Sequence, residues 1–268
     1  MKKALKITGI TLAVLIALAV WVVAFSGILP YYIVKKYVPC ADELEYSEWT
    51  HYDSGRLAQY KTVSYDGLYA DIPLNMTNNT DSSGKIRENS FTGPVGDERF
   101  SMTSRIDAKQ SGNILIIKNG KEEPPKEMTE KERKQAEKAK KRYDKELARY
   151  CRRIGKEAPR NVCEMMDITY TVDMDDKVLM SRQQEAIHAQ FIVLKGIMRS
   201  TTDKVYRFEN DTGIGYISLW RNDLYDISFF DKQDPDVYYD ITVSLPDEDT
   251  MYKIVNSLRI DYTPEQEE

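Results

Sequence analysis

The sequence predicts an α+β fold carried on a single membrane span, and three observations lead there. Ile7 to Phe25 is an uncharged run of nineteen residues preceded by Lys2, Lys3 and Lys6. Strand-like and helix-like patterns occupy separate blocks of the chain, which points to a sheet with segregated helices rather than to alternating βαβ units. Charge is segregated as well. Residues 130–157 hold twelve Lys or Arg against six Asp or Glu, whereas residues 164–268 hold ten against twenty-two. The overall net charge of −5 hides a basic helix followed by an acidic domain.

In chain order, the apolar run would measure roughly 28 Å as a helix, close to the ~30 Å hydrocarbon core of a bilayer. It is longer than the ~7 to 15 residues usual for a signal-peptide core, and its small residues Ala17 and Ala19 are followed by Val20-Trp21-Val22-Val23, a poor cleavage site. A retained anchor is therefore expected over residues 1–36 with its flanks. Three lysines precede the run, and Asp42, Glu43, Glu45 and Glu48 follow on the far side. The positive-inside rule then places the N-terminus in the cytoplasm and the rest outside the cell membrane. Residues 37–60, with Pro39 and scattered Tyr and Trp, read as a juxtamembrane linker.

Residues 61–268 are expected to form an extracytoplasmic antiparallel sheet domain flanked by helices. Lys61–Tyr65 and Leu68–Ile72 flank Asp66-Gly67, a two-residue joint suited to a tight hairpin. Asn75–Asn89 reads as a polar loop, and Phe100–Ile106 and Asn113–Lys118 as further strands. Thr129-Glu130-Lys131-Glu132 is a capping box that opens a long charged helix, an insert at 129–155 closed by Gly155 and Pro159. Its second half carries the stripe Tyr143, Leu147, Tyr150 and Ile154, expected to dock on the sheet. Its first half has no large apolar residue and is expected to project into water. Asp167–Asp173 alternates Ile168, Tyr170 and Val172 with polar neighbours, the period of a strand. Ser181-Arg-Gln-Gln184 is a second capping box, ahead of Ile187, Phe191 and Leu194 at helical spacing. Strands follow at 205–209, 214–221, 224–231 and 237–245, then a short helix to Ser257 and a closing strand to Tyr262.

Two segments carry a family resemblance. Tyr65-Asp-Gly-Leu-Tyr-Ala-Asp-Ile-Pro73 and Met251-Tyr-Lys-Ile-Val-Asn-Ser-Leu-Arg-Ile260 resemble the opening and closing segments of PsbP-type α+β domains. The resemblance covers roughly twenty residues and implies a helix-flanked sheet serving as an extracytoplasmic binding or scaffold module. The charged helix departs from that pattern, and no ligand residue carries over.

Chemistry is sparse. The chain has two histidines, His51 and His188, and none of the zinc-protease, nucleophile-elbow, Walker or dinucleotide motifs. His188 is expected on the polar face of its helix. Ser82-Ser-Gly-Lys85 fits S-x-x-K but lacks the partner elements S-D-N and K-T-G. The acidic groups Asp231, Asp234, Asp236 and Asp173, Asp175, Asp176 lack the ordered spacing of a calcium loop and read as solvated turns. No cofactor is implied. Cys151 and Cys163 flank the end of the long helix, and an oxidising compartment would allow a disulfide between them. Lys131, Arg133, Lys134, Lys138, Lys140, Lys141 and Arg142 form a cationic surface suited to an anionic surface or an acidic protein partner, or else a solvated face held by Glu–Lys pairs. The compartment disfavours nucleic acid. The reading is a membrane-anchored extracytoplasmic binding or scaffold module, with a membrane-tethered enzyme or a sensor or accessory subunit as the alternative.

Overall fold

The computed structural model describes residues 36, 38–52, 55–94, 97–107, 129–173, 181–220, 224–245 and 247–261. The apolar run Ile7–Phe25, the strand expected at Asn113–Lys118 and the group Asp175–Asp176 lie outside them. Among the described residues no helix is long and apolar enough to cross a membrane. The chain divides into two compact units. One is helical, within Met1–Asp42, Ile117–Arg160 and Thr171–Ile197; the other is built on sheets, within Glu43–Ile116, Asn161–Tyr170 and Met198–Glu268. The class is α+β.

The sheet unit contains a mixed sheet and a small one. The first runs β1 (Glu45–Glu48), β8 (Thr202–Glu209), β9 (Gly213–Trp220), β10 (Leu224–Asp231), β11 (Val237–Ser244), β6 (Arg99–Met102), β5 (Ile86–Thr92) and β4 (Thr77–Thr80), with β7 (Ile106–Asp107) also on β11. Its centre is the expected β8–β11 antiparallel meander, and β1 adds the parallel pair. The small sheet places β3 (Leu68–Pro73) between β2 (Tyr60–Tyr65) and β12 (Arg259–Ile260). Asp66 and Gly67 join β2 to β3 with φ of 51° and 84°, the two positive dihedrals that a type I′ turn requires and that Asp and Gly tolerate.

Successive strand residues point to opposite faces, so each sheet face collects alternate side chains. On one face Phe208, Ile217, Ile227, Phe229, Ile241 and Val243 meet Leu68 and Ile72 of β3 and Met251, Ile254 and Val255 of the last helix. Burying each such side chain contributes about 1.5–3 kcal/mol. That last helix, Glu248–Ser257, begins where Asp247 accepts from the backbone N–H of Asp249 and Thr250. On the other face Val205, Tyr216 and Phe230 pack with Cys163 and Tyr170.

Cys163 and Tyr170 belong to a helix, Val162–Thr171, where alternation predicts a strand. Asn161 decides the matter. Its Oδ1 accepts from Glu164 N at 2.8 Å, and Asp236 Oδ1 accepts from Val162 N at 2.9 Å, so two N–H groups of the first turn find side-chain acceptors. Of the alternating residues that suggest a strand, Ile168 and Tyr170 then sit on the buried face of the helix, and Val172 is buried just past its end.

Two other segments differ from expectation. Residues 75–89 form the β4–β5 hairpin instead of a loop. Asp81 Oδ1 accepts from the N–H of Ser83 and Lys85 at its tip, and Gly84 there has φ of 82°. Polar composition masks the strands because both are largely exposed. The 37–60 stretch is more than a linker. It contains a 3-10 turn at Pro39–Glu43 and strand β1, and Ala41, Leu44 and Trp49 are buried.

Numbered in chain order, the helices are α1 (Glu130–Arg153), α2 (Val162–Thr171), α3 (Arg182–Thr201) and α4 (Glu248–Ser257). The helical unit holds α1 and most of α3. At the end of α1, Gly155 has φ of 72°, and Lys156 N donates to Cys151 O at 2.8 Å, which closes the last turn. The expected capping box opens α3: Gln184 N donates to Ser181 Oγ and Ser181 N to Gln184 Oε1, both at 3.3 Å.

Candidate functional site

The two helices meet through aromatic side chains. Tyr150 is fully buried, stacks on Phe191 with ring centroids 5.7 Å apart, and places its hydroxyl 3.0 Å from His188 Nδ1. His188, expected on a polar face, is therefore a core residue, 2% exposed. The stripe at Tyr143, Leu147 and Tyr150 docks on α3, where the sequence suggests the sheet: Tyr143 hydroxyl also reaches Gln190 Oε1 at 3.3 Å. The period of a stripe says that a face is buried but not what buries it.

Towards the start of α1 this packing opens into a groove of about 490 Å³. Its α1 wall is Gln135, Lys138, Ala139, Arg142, Tyr143 and Glu146, at i, i+3, i+4, i+7, i+8 and i+11 along one helix face. Gln183, Ala186, Ile187 and Gln190 form the α3 wall with the same spacing. Small residues at Ala139 and Ala186 leave the floor open, because alanines cannot fill the space between two helices. Lys138 and Arg142 supply the positive charge. Glu146 is neutralised by Arg149 and accepts from Gln184 Nε2 at 3.2 Å, leaving the groove net cationic.

The cationic residues named from the sequence divide by role. Lys134 pairs with Glu130 at 2.7 Å and Lys141 with Glu137 at 2.9 Å, the i,i+4 pairing of a solvated helix face. Arg142 reaches across the groove to the Gln183 side-chain amide when its oxygen faces the guanidinium. Lys138 is exposed in the groove and makes no ion pair among the described residues. Lys131, with Lys134 and Lys138, borders a shallower recess further up α1. Lys140 is exposed and Arg133 belongs to the same helix. Of the groove's lining, the sequence names Lys138 and Arg142 as cations and Tyr143 as part of the docking stripe, and misses Gln135, Glu146, Gln183, Ala186 and Gln190. Gln183 and Gln190, each four residues before an apolar stripe residue (Ile187 and Leu194), are the signal for a polar rim beside that stripe.

The expected disulfide is absent from the structure. Cys151 and Cys163 are both buried free thiols. Cys151 belongs to the helical unit, while Cys163 Sγ sits 3.6 Å from Tyr216 hydroxyl in the sheet unit. Burial pushes each thiol up to about 11. Near Cys163, Tyr216 hydroxyl donates to Asp167 Oδ1 at 2.8 Å and Arg207 Nε lies 3.3 Å from the same oxygen. These groups satisfy one another and leave no open nucleophile.

The acidic turn is solvated at Asp234 and structural at its other two carboxylates. Asp231 and Asp236 are buried, and Asp231 Oδ1 accepts from Gln233 N at 2.7 Å. Among the described residues no three His, Cys, Asp or Glu side chains converge as metal ligands. A second acidic pair lies mid-sheet. Asp240 is the Cα partner of Ser228, whose hydroxyl donates to it at 3.0 Å, and Asp226 stands two residues earlier on β10. Burial, and next the neighbouring Asp240, push Asp226 up to about 6; burial also raises Asp240. Comparisons with protein-family models, with curated proteins and with solved structures return no match.

Proposed function

We propose that this protein is a membrane-anchored, extracytoplasmic binding module, with its N-terminus cytoplasmic, that receives an acidic amphipathic helix of a partner protein between α1 and α3. The observation that carries the reading is the groove itself. Two helix walls at matched spacing leave an apolar floor at Ala139, Ala186 and Ile187, with Lys138 and Arg142 above it. A helix laid into such a groove buries apolar side chains on the floor and sets carboxylates against the cations. The likeness to PsbP-type domains supports a scaffold role for the sheet unit, since the two segments that carry it pair in the small sheet, Arg259 opposite Tyr69 and Ile260 opposite Leu68. The uncharged Ile7–Phe25 run supports the anchor.

The test places a photo-cross-linking amino acid at Ala186 of the full chain in native membranes. The expected adduct maps to an acidic helical segment of one protein, and its yield falls at least tenfold in the Lys138→Glu/Arg142→Glu double variant. An adduct indifferent to that variant, or none at all, would overturn the reading. Adducts to phospholipid alone would assign the surface to anionic membrane instead.

A further inference from the structure

A polar pocket of about 320 Å³ in the sheet unit, where the C-terminal end of α4 meets β3 and the turn before β9, has no part in the groove. We propose that it binds a small carboxylate bearing an adjacent hydrogen-bond donor, either a hydroxy acid or an amino acid. Asp71 is central. Its side chain is 4% exposed, and its Oδ2 is buried with no hydrogen-bond partner. A buried carboxylate oxygen left unfilled costs free energy, so such an atom on a pocket wall signals a donor that arrives with a ligand. Its other oxygen is committed: Oδ1 accepts from Thr62 Oγ1 at 2.8 Å and from Arg259 Nη1 at 3.4 Å.

The cations define the other half of the ligand. Arg56 Nη2 stands 3.7 Å from Asp71 Oδ2, an ion-pair distance too long for a hydrogen bond, and its side chain is 72% exposed. Arg259 lines the same pocket and spends one bond on Ser257 O at 3.0 Å. Two guanidinium groups present planar, bidentate donor sets that match a carboxylate; Arg56 Nη1 also donates to Tyr60 hydroxyl at 3.2 Å, an exposed bond that an arriving carboxylate would share or replace. The neighbouring amides do not compete for the role. Asn256 spans from Trp49 Nε1 at 3.1 Å to His51 O at 2.6 Å, and Asn210 Nδ2 donates to Leu258 O at 2.7 Å. Those bonds build the walls; the Asp71 carboxyl, the exposed Asp211 and the two arginines complete the lining, with Asp71 Oδ2 the buried oxygen that has no hydrogen bond. Lys253, which also lines the pocket, pairs with Asp249. The volume is at the small end of ligand sites, which run from about 300 Å³ upward, and admits a monosaccharide acid or an amino acid but not a polymer segment.

The experiment titrates the full-length protein in detergent micelles by calorimetry with three probes. Glucuronate offers a carboxylate and hydroxyl donors, L-alanine a carboxylate and an ammonium, and propionate a carboxylate alone. Saturable binding of glucuronate or alanine, with propionate at least tenfold weaker, is the expected result, and whichever of the two binds identifies the donor as hydroxyl or ammonium. Arg56→Ala, at an exposed position, should weaken binding at least tenfold while the melting temperature stays within about two degrees. Asp71→Asn should remove the preference over propionate. No saturable binding of either donor-bearing probe, equal affinity for propionate, or an Arg56→Ala protein that binds as the parent does would overturn the proposal.

Discussion

Asp226 is expected to weaken the fold at neutral pH, and replacing it by asparagine should strengthen it. The carboxyl lies mid-strand on β10, half-buried, beside Asp240 on β11, and its pKa is raised from 3.8 to about 6, first by burial and then by that neighbour. A carboxyl whose folded pKa exceeds its unfolded value binds more protons folded than unfolded, so stability falls as pH rises between about 4 and 6 and stays low above that window. At about 1.4 kcal/mol per pH decade the full effect is roughly 3 kcal/mol. The group keeps contact with water, and solvent screening reduces this to about 1–2 kcal/mol. Asp226→Asn removes the ionisation while keeping the shape. Urea unfolding followed by the fluorescence of Trp49, buried in the sheet-unit core, should show a gain of about 1–2 kcal/mol at pH 7.5 that shrinks towards zero at pH 4. A gain of equal size at both pH values, or a loss at pH 7.5, would refute the electrostatic reasoning.

Gly215→Ala should destabilise the sheet unit. A Cβ there would fall 2.6 Å from Phe208 Cδ1 and nearer still to Cε1 and Cζ, and that ring cannot retreat because it stacks on Phe229 with centroids 5.5 Å apart. The cost is about 1–3 kcal/mol, a drop of several degrees in melting temperature; an unchanged melting curve would show that the ring pair is mobile. Cys151 and Cys163, with thiols at about 11, should resist iodoacetamide at pH 8 in the native chain, and both should react in urea. Native labelling of either at the unfolded rate, or a disulfide-linked peptide joining them, would contradict their place as buried thiols.

The sequence by itself determined the elements whose signals are local. The Asp66-Gly67 turn, the Ser181–Gln184 box, the Gly155 stop and the β8–β11 meander depend on residues within a few positions of one another, and the structure contains each of them. Exposure of the described residues in the first half of α1 was legible for the same reason, since a face without large apolar side chains has nothing to bury.

Tertiary structure decided the rest. Whether Ile168, Tyr170 and their neighbours form a strand or a helix depended, beyond the local Asn161 cap, on the distant Asp236 meeting the Val162 N–H, which alternation along the segment cannot encode. Asp71 reads as an ordinary strand residue until Arg56 and Arg259, 188 positions along from it, converge on it. The groove likewise exists only because α1 and α3 lie side by side. The partner of the Tyr143–Tyr150 stripe is a matter of which apolar face lies opposite, which no period along one chain segment records.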